Sequence, residues 1–272
     1  MQVPKQKFEI CIQTMIPSTS PIFRSLSYCL RSPVHLLFFA LLLFSTLTSS
    51  KVNANPNSCQ GPASIGMKDQ KEHWEEIYRK KANIDMSWYV PHLDASLSMI
   101  ENLNLSIETP IIDVGSGDST LVDDLLLRGF RNITLLDISS LALEVTCKRL
   151  GNLSSYITSI DSDITTVSLP PQSYGLWHDR AVFHFLTDIN DIKAYLKNLN
   201  EGLQVNGYAI LATFSKDGPE ECSQLPITRY SISELEETIG EEFNLIESSV
   251  AMHVTPWKSV QPFTYCLFQK IR

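Results

Sequence analysis

The chain is poor in positive charge, in paired cysteines and in long apolar runs, and each shortage removes a class of function. Lys and Arg number 22 against 30 Asp and Glu, a formal net charge of −8, so a substrate recognised chiefly through phosphates is disfavoured and nucleic acid is an unlikely partner on charge alone. The six cysteines form no CxxC pair and fall at no metal-ligand spacing, so no metal site is expected. Cys11, Cys29 and Cys59 lie near the start, and Cys147, Cys222 and Cys266 are scattered beyond. Three scattered cysteines cannot close into a disulfide set, which predicts a reducing, cytoplasmic setting for the domain that holds them. There the sequons at Asn104, Asn132 and Asn152 would go unused. No internal repeat or low-complexity tract is visible, and a hydrophobic content of 43% is ample for a core.

The charge is unevenly spread. Residues 1–66 carry Lys5, Lys7, Arg24, Arg31 and Lys51 against Glu9 alone, leaving 17 basic and 29 acidic residues, a net −12, in 67–272. That shift predicts a boundary between a leader, 1–66, and a catalytic domain, 67–272. Within the leader the stretch Leu36 to Phe44 is strongly apolar but fades into Ser45 to Ser50, short of the roughly 20 residues of a spanning helix. Three readings stay open for it: a signal or marginal anchor, an organelle transit peptide, or an upstream extension of the gene model before Met67. Any membrane association would run through residues 34–47.

The domain is organised around Ile111-Ile112-Asp113-Val114-Gly115-Ser116-Gly117-Asp118-Ser119-Thr120-Leu121. A short apolar run gives way to an acid and two glycines, and Leu121, Val122, Leu125 and Leu126 then recur at helical spacing. The pattern predicts a buried strand, a tight loop and a helix N-terminus. Glycines at 115 and 117 allow a sharp turn and a close approach of ligand to main chain. The next strand, Asn132 to Asp137, would deliver Asp137 at its carboxyl end beside that loop, where an acid commonly holds ribose hydroxyls. Two nucleotide classes fit so far, a nicotinamide or flavin dinucleotide and S-adenosylmethionine. Thr120 stands where a dinucleotide fingerprint wants its third glycine. Asp113 would repel a pyrophosphate and suits a sulfonium and ammonium.

With Asp137-Ile138-Ser139, Asp163-Ile164 and Leu176 to Leu186 (LWHDRAVFHFL) added in order, the chain resembles the class I S-adenosylmethionine-dependent methyltransferases over roughly residues 67–272. The resemblance departs at Ser119, where many members carry a third glycine, and at Tyr174-Gly175, where relatives often place an aromatic before an acid. It implies a Rossmann-like, doubly wound α/β sheet, mostly parallel with a terminal antiparallel strand and helices on both faces. It also implies cofactor contacts from Asp113, Gly115, Ser116, Gly117, Asp137 and Ile138. Asp163 would meet the adenine amino group, chosen over Asp161 because Asp-Ile is the family-like pair, and Ile164 would lie against the ring.

The coarse elements follow from periodicity. A helix is predicted over 69–81 with Trp74, Ile77 and Tyr78 on one face. An aromatic link, 83–91, and a helix striped by Leu93, Leu97, Ile100 and Leu103 come next. By resemblance this segment folds over the cofactor with Trp88 and Tyr89 near the pocket mouth; as plain residues these aromatics serve equally well to pack the helix. Ser139 should cap a helix ending at Gly151, and Ser233 with Glu236 should form a capping box. Strands are expected at 155–160, 175–179, 207–214, 243–252 and 263–270.

On the acceptor side, Asp179 would orient a substrate amine or touch the cofactor, and Arg180 would bind an acidic substrate or pair with a neighbouring carboxylate. His184 is a candidate base, although Phe183 and Phe185 on either side favour a packed ring. His253 and Trp257 are candidates for the far rim. The Trp-x-x-x-Tyr start, the Asn132-Ile133-Thr134 run and the Asp137-Ile138-Ser139 turn resemble enzymes that methylate protein lysines. The segment from Trp177 resembles small-molecule methyltransferases instead. The expected activity is therefore methyl transfer from S-adenosylmethionine to a protein or small-molecule acceptor, with a catalytically silent cofactor-binding module as the rival and a nicotinamide oxidoreductase a distant third.

Overall fold

The structure is a computed structural model that describes residues 67–80 and 86–272. The expectations for the leader, and for positions 81–85 of the helix end and link, lie outside the described residues. Seven strands form one sheet: β1 (Ile111–Val114), β2 (Ile133–Asp137), β3 (Ile157–Asp161), β4 (Tyr174–Arg180), β5 (Leu203–Phe214), β8 (Phe243–Val254) and β9 (Val260–Lys270). The order is β3-β2-β1-β4-β5-β9-β8. Strands β1 to β5 run parallel, and β9 runs antiparallel to both β5 and β8. A two-strand ribbon, β6 (Glu221–Cys222) with β7 (Leu225–Pro226), follows β5.

Every residue of β1 and β2 is buried, which is why these strands read as unbroken apolar runs rather than as alternation. One face is covered by α2 (Asp94–Asn102) and α3 (Leu121–Leu127) through Leu97, Ile100 and Leu125. The other is covered by α5 (Ile189–Gly202) and α6 (Ile232–Ile239) through Tyr195, Leu199 and Leu235. Burying each such side chain is worth about 1.5–3 kcal/mol, so the two apolar faces together hold the sheet between its helices. Helix α1 (Met67–Lys80) lies against α4 (Ser140–Leu150) and is tied by Glu75, which accepts hydrogen bonds from the backbone N–H and hydroxyl of Ser140. Among the described residues no helix is long and apolar enough to cross a membrane.

Local signals decide the ends. Ser139 accepts from the Ala142 N–H and Gly151 closes α4, as the sequence predicts. The capping box of α6 sits two residues earlier than expected: Ser231 Oγ accepts the Glu234 N–H at 3.2 Å, and Glu234 accepts the Ser231 N–H at 2.8 Å. Strand β3 starts at Ile157 because Gly151–Tyr156 winds as a 3-10 turn.

Candidate active site

The carboxyl ends of β1, β2 and β4 converge on one cavity, partly open to solvent. Its floor is the loop after β1. Gly115 has φ +62°, and a Cβ there would collide with Val182 Cγ2. Gly117 has φ +55°, and a Cβ there would stand 2.5 Å from the Tyr78 hydroxyl. Only glycine meets both demands, a left-handed backbone and a neighbour pressed against the main chain. The loop is held from α4: Arg149 donates to the carbonyls of Asp118 and Ser119 at 2.7 and 2.6 Å, and Thr146 donates to that of Gly117 at 3.2 Å. Sequence reasoning missed both residues, because nothing local marks a helix side chain that caps a loop about 30 positions away.

Asp137 ends β2 and lines the cavity. One carboxylate oxygen accepts the Gly117 N–H and the other the Ser139 N–H, each at 2.8 Å. A carboxylate offers about four lone-pair sites, so acceptor capacity remains for a ligand hydroxyl. Burial, helped by the nearby charges of Asp113 and Asp118 and opposed by those two backbone N–H groups, raises its pKa from 3.8 to about 6. Asp163 and Ile164 also line the cavity, with Ile138 beside them. Asp163 accepts from the Thr165 N–H and hydroxyl at 2.7 Å each, whereas Asp161 is half exposed and bonded to Lys71 at 2.5 Å.

Asp113 faces an unanticipated partner. The register of β1 against β4 sets it opposite His178, and His178 Nδ1 lies 2.7 Å from Asp113 Oδ1. The other ring nitrogen reaches Ser96 Oγ of α2 at 2.8 Å, and all three residues are buried. An ordered chain Ser96–His178–Asp113 therefore fixes the carboxylate that the sequence assigns to the cofactor. Of the three, Asp113 and His178 line the cavity.

The roof is aromatic. Trp74 and Tyr78 of α1 meet Trp88 edge-on, with centroids 5.9 and 6.2 Å apart, and Trp74 meets Phe185 at 5.2 Å. Trp88 lines the cavity and its side chain hydrogen-bonds to Asp118, while Tyr89 stands off it. His253 is also off the lining: its Nε2–H donates to the Ser87 carbonyl at 2.5 Å and so secures the roof from β8. Trp257 is 57% exposed and likewise does not line the cavity, so neither residue forms the rim expected of it.

Two expected catalytic residues are placed differently from their expected roles. Asp179 is fully buried and does not line the cavity. It accepts from the Val182 N–H (3.0 Å), the Phe183 N–H (3.2 Å) and the Tyr195 hydroxyl (2.7 Å), and Tyr195 accepts from the Trp177 indole at 2.9 Å. Asp179 is thus a bracket for the turn after β4, not a group poised on an acceptor. His184 is fully buried between Phe185 and Phe214, and its Nδ1 accepts the Phe214 N–H at 3.4 Å. Burial and then the charge of Arg180 push its pKa down to about 3, so it stays neutral at physiological pH and is a packed ring, not a base. Arg180, one residue past Asp179, does line the cavity.

Against known proteins, residues 111–207 match the family described as "Methyltransferase domain". An eEF1A lysine and N-terminal methyltransferase homolog of Drosophila pseudoobscura pseudoobscura is 24% identical over 133 residues, 47% of this chain and 19% of that protein. The chain thus spans about a fifth of that relative's length. The human EEF1A lysine methyltransferase 2 is 20% identical over 195 residues, 62% of this chain and 81% of that protein. The solved structure of the 1,6-didemethyltoxoflavin-N1-methyltransferase of Burkholderia thailandensis, with 1,6-didemethyltoxoflavin and S-adenosylhomocysteine bound, superposes with a TM-score of 0.58. At 16% identity it covers 81% of this chain and 94% of that one.

Proposed function

We propose, for a chain that carries a class I S-adenosylmethionine-dependent methyltransferase domain, that this cavity moves a methyl group from the cofactor onto a nucleophile held under the aromatic roof. The observation that carries the proposal is the joining of two unlike halves in one cavity. One half is built from the glycine loop with Asp113, Asp137 and Asp163; the other from aromatic rings and Arg180.

The residues of the first half fit S-adenosylmethionine. Gly115 and Gly117 expose main chain where any Cβ would intrude, and Asp137 is buried with acceptor capacity to spare for ribose hydroxyls. Asp113, fixed by His178, presents negative charge to a cationic ligand, and Asp163 with Ile164 supplies an acceptor beside an apolar wall. The cofactor, when bound, supplies a methyl group already activated by its sulfonium. What remains for the chain is to orient the acceptor and exclude water, tasks that suit Trp74, Trp88 and Phe185. His184 takes no proton, and Asp179 only positions.

The nucleophile is a protein lysine or an atom of a small metabolite. The names of the curated relatives support the lysine. The roof of α1 and Trp88 over the cavity supports a small acceptor. Isothermal titration of the protein with S-adenosylmethionine and, separately, with NAD tests the reading: binding of the sulfonium cofactor alone is expected, and NAD binding in its place overturns it. A labelled-methyl screen on proteins and metabolites then separates turnover from a silent binding module.

A further inference from the structure

Arg180 is a cation in the cavity wall without a counter-ion among the described residues. Its Nε donates to the Tyr265 hydroxyl at 3.2 Å and its Nη1 to the Trp88 carbonyl at 3.3 Å, both neutral acceptors. The guanidinium lies over the Phe263 ring, 4.7 Å from the centroid. No Asp or Glu of the described residues forms an ion pair with it, and the Nη2 edge makes no hydrogen bond to them. The histidines around it, His184 and His253, offer no negative charge in either protonation state, and burial and the charge of Arg180 lower the pKa of both.

The cavity's charges are segregated. Its carboxylates, Asp113, Asp137 and Asp163, belong to the strand ends and loops of the cofactor half, and the Arg180 half adds Phe214, Phe263, Gln261 and Cys222 but no acid. A half-buried guanidinium in an apolar wall is costly to leave unpaired, and its planar fork matches a carboxylate. The two bonds it does make, with the Phe263 ring centroid 4.7 Å from its Cζ, fix its place, so little further ordering is needed to receive an anion.

We propose that Arg180 is the anchor for a carboxylate on the methyl acceptor, so that the acceptor is a small carboxylic acid with an apolar or aromatic body. This rests on the methyltransferase reading of the same cavity and narrows its acceptor. A lysine ammonium would meet the guanidinium as a like charge in a poorly solvated chamber. A carboxylate held by a guanidinium is itself a weak nucleophile, so the methyl goes to a different atom of the acceptor.

The test uses the full chain saturated with S-adenosylhomocysteine and titrated with a panel of aryl and alkyl carboxylates of increasing size. Each is matched with its primary amide, and Nα-acetyl-lysine amide represents the rival. At least one acid is expected to bind about tenfold or more tighter than its amide, since a charge-assisted contact of this kind is worth roughly that factor. In Arg180→Gln the acid and amide should come within about twofold, while Arg180→Lys should keep part of the preference because it keeps the charge. Equal binding of every acid and its amide, or binding of the lysine probe in their place, overturns the carboxylate anchor and leaves the methyltransferase reading standing. Failure to bind S-adenosylhomocysteine at all overturns both.

Discussion

Replacing Asp179 by Ala should destabilise the protein rather than silence an otherwise intact site. The side chain is 0% exposed and satisfies three buried donors: the Val182 and Phe183 N–H groups and the Tyr195 hydroxyl. Orphaning a buried donor costs about 1–3 kcal/mol, so the three together put roughly 3–9 kcal/mol at stake. Against this stands the cost of keeping the carboxylate ionised. Its pKa is raised from 3.8 to about 6, chiefly by burial, and that shift costs the folded state about 3 kcal/mol at neutral pH, a cost the Ala variant escapes. The net loss at pH 7.5 is therefore about 0–6 kcal/mol, or up to roughly 24 °C in Tm for a domain of this size, and the full 3–9 kcal/mol or so shows only near pH 4 and below, where the carboxyl is protonated in both states. The pH dependence supplies a sharper signature. A carboxyl whose folded pKa lies above its unfolded value binds its proton first in the folded state, so its contribution to stability falls as pH rises from about 4 to 6. Urea titrations of wild type and Asp179→Ala should thus show a gap that is widest near pH 4, narrows through that window and is constant above it. A variant as stable as wild type at every pH would refute the bracket and return Asp179 to the acceptor.

Asp137→Ala should weaken S-adenosylmethionine binding at least tenfold by calorimetry, through the loss of charge-assisted bonds worth about 1.5–3 kcal/mol each. Because the Asp137 pKa is about 6, wild-type affinity should decline as pH drops below that value while the variant stays flat; a wild type equally tight at pH 5 and 8 would remove the role. Gly115→Ala should lose cofactor affinity and stability, and adding Val182→Ala should restore only the steric part. The left-handed backbone cost of about 1–2 kcal/mol would persist; full rescue by the second change would contradict the positive φ. His184→Gln should flatten acid unfolding. A His with a folded pKa of about 3 adds stability above its unfolded value of about 6.5 that is lost as pH falls between the two, at up to about 1.4 kcal/mol per pH step. If wild type and variant lose stability in parallel from pH 6.5 to 4, the ring is not buried and neutral.

The first half of the cavity was legible because its signals are local. Two buried parallel strands read as apolar runs, and glycines at 115 and 117 mark a turn that no other residue fits. The second half was misread by one position. On β4, His178 and Arg180 line the cavity while Asp179 does not, which is the alternation expected of any strand. The sequence ended that strand at Asp179, and assigning faces along it one residue further would have separated the cavity side from the core side. The bond between Asp113 and His178 was out of reach, because which residues of β1 and β4 stand opposite is a matter of register across a sheet. The capping box shows a different limit. Ser231-Ile232-Ser233-Glu234-Leu235-Glu236 contains two overlapping matches to one pattern, and the backbone, extended at Ser231, chooses the first.

Trp88 ties the two halves together. Its side chain hydrogen-bonds to Asp118 of the glycine loop, and its carbonyl accepts from Arg180 at 3.3 Å, so one residue of the roof touches both the glycine loop and the Arg180 guanidinium. The carbonyl is neutral and the bond long, worth about 1 kcal/mol, which is too little to offset a partly desolvated guanidinium. An anion on Arg180, as proposed above, would supply the missing charge and leave the Trp88 contact in place, since the Nη2 edge carries no hydrogen bond among the described residues. On the opposite side, Asp113 and Asp137 attract a cationic ligand more strongly than its neutral product. On the proposed reading, methyl transfer would remove positive charge from the half that holds the carboxylates, so the same pair that favours binding of the charged cofactor would weaken its hold once the reaction is done.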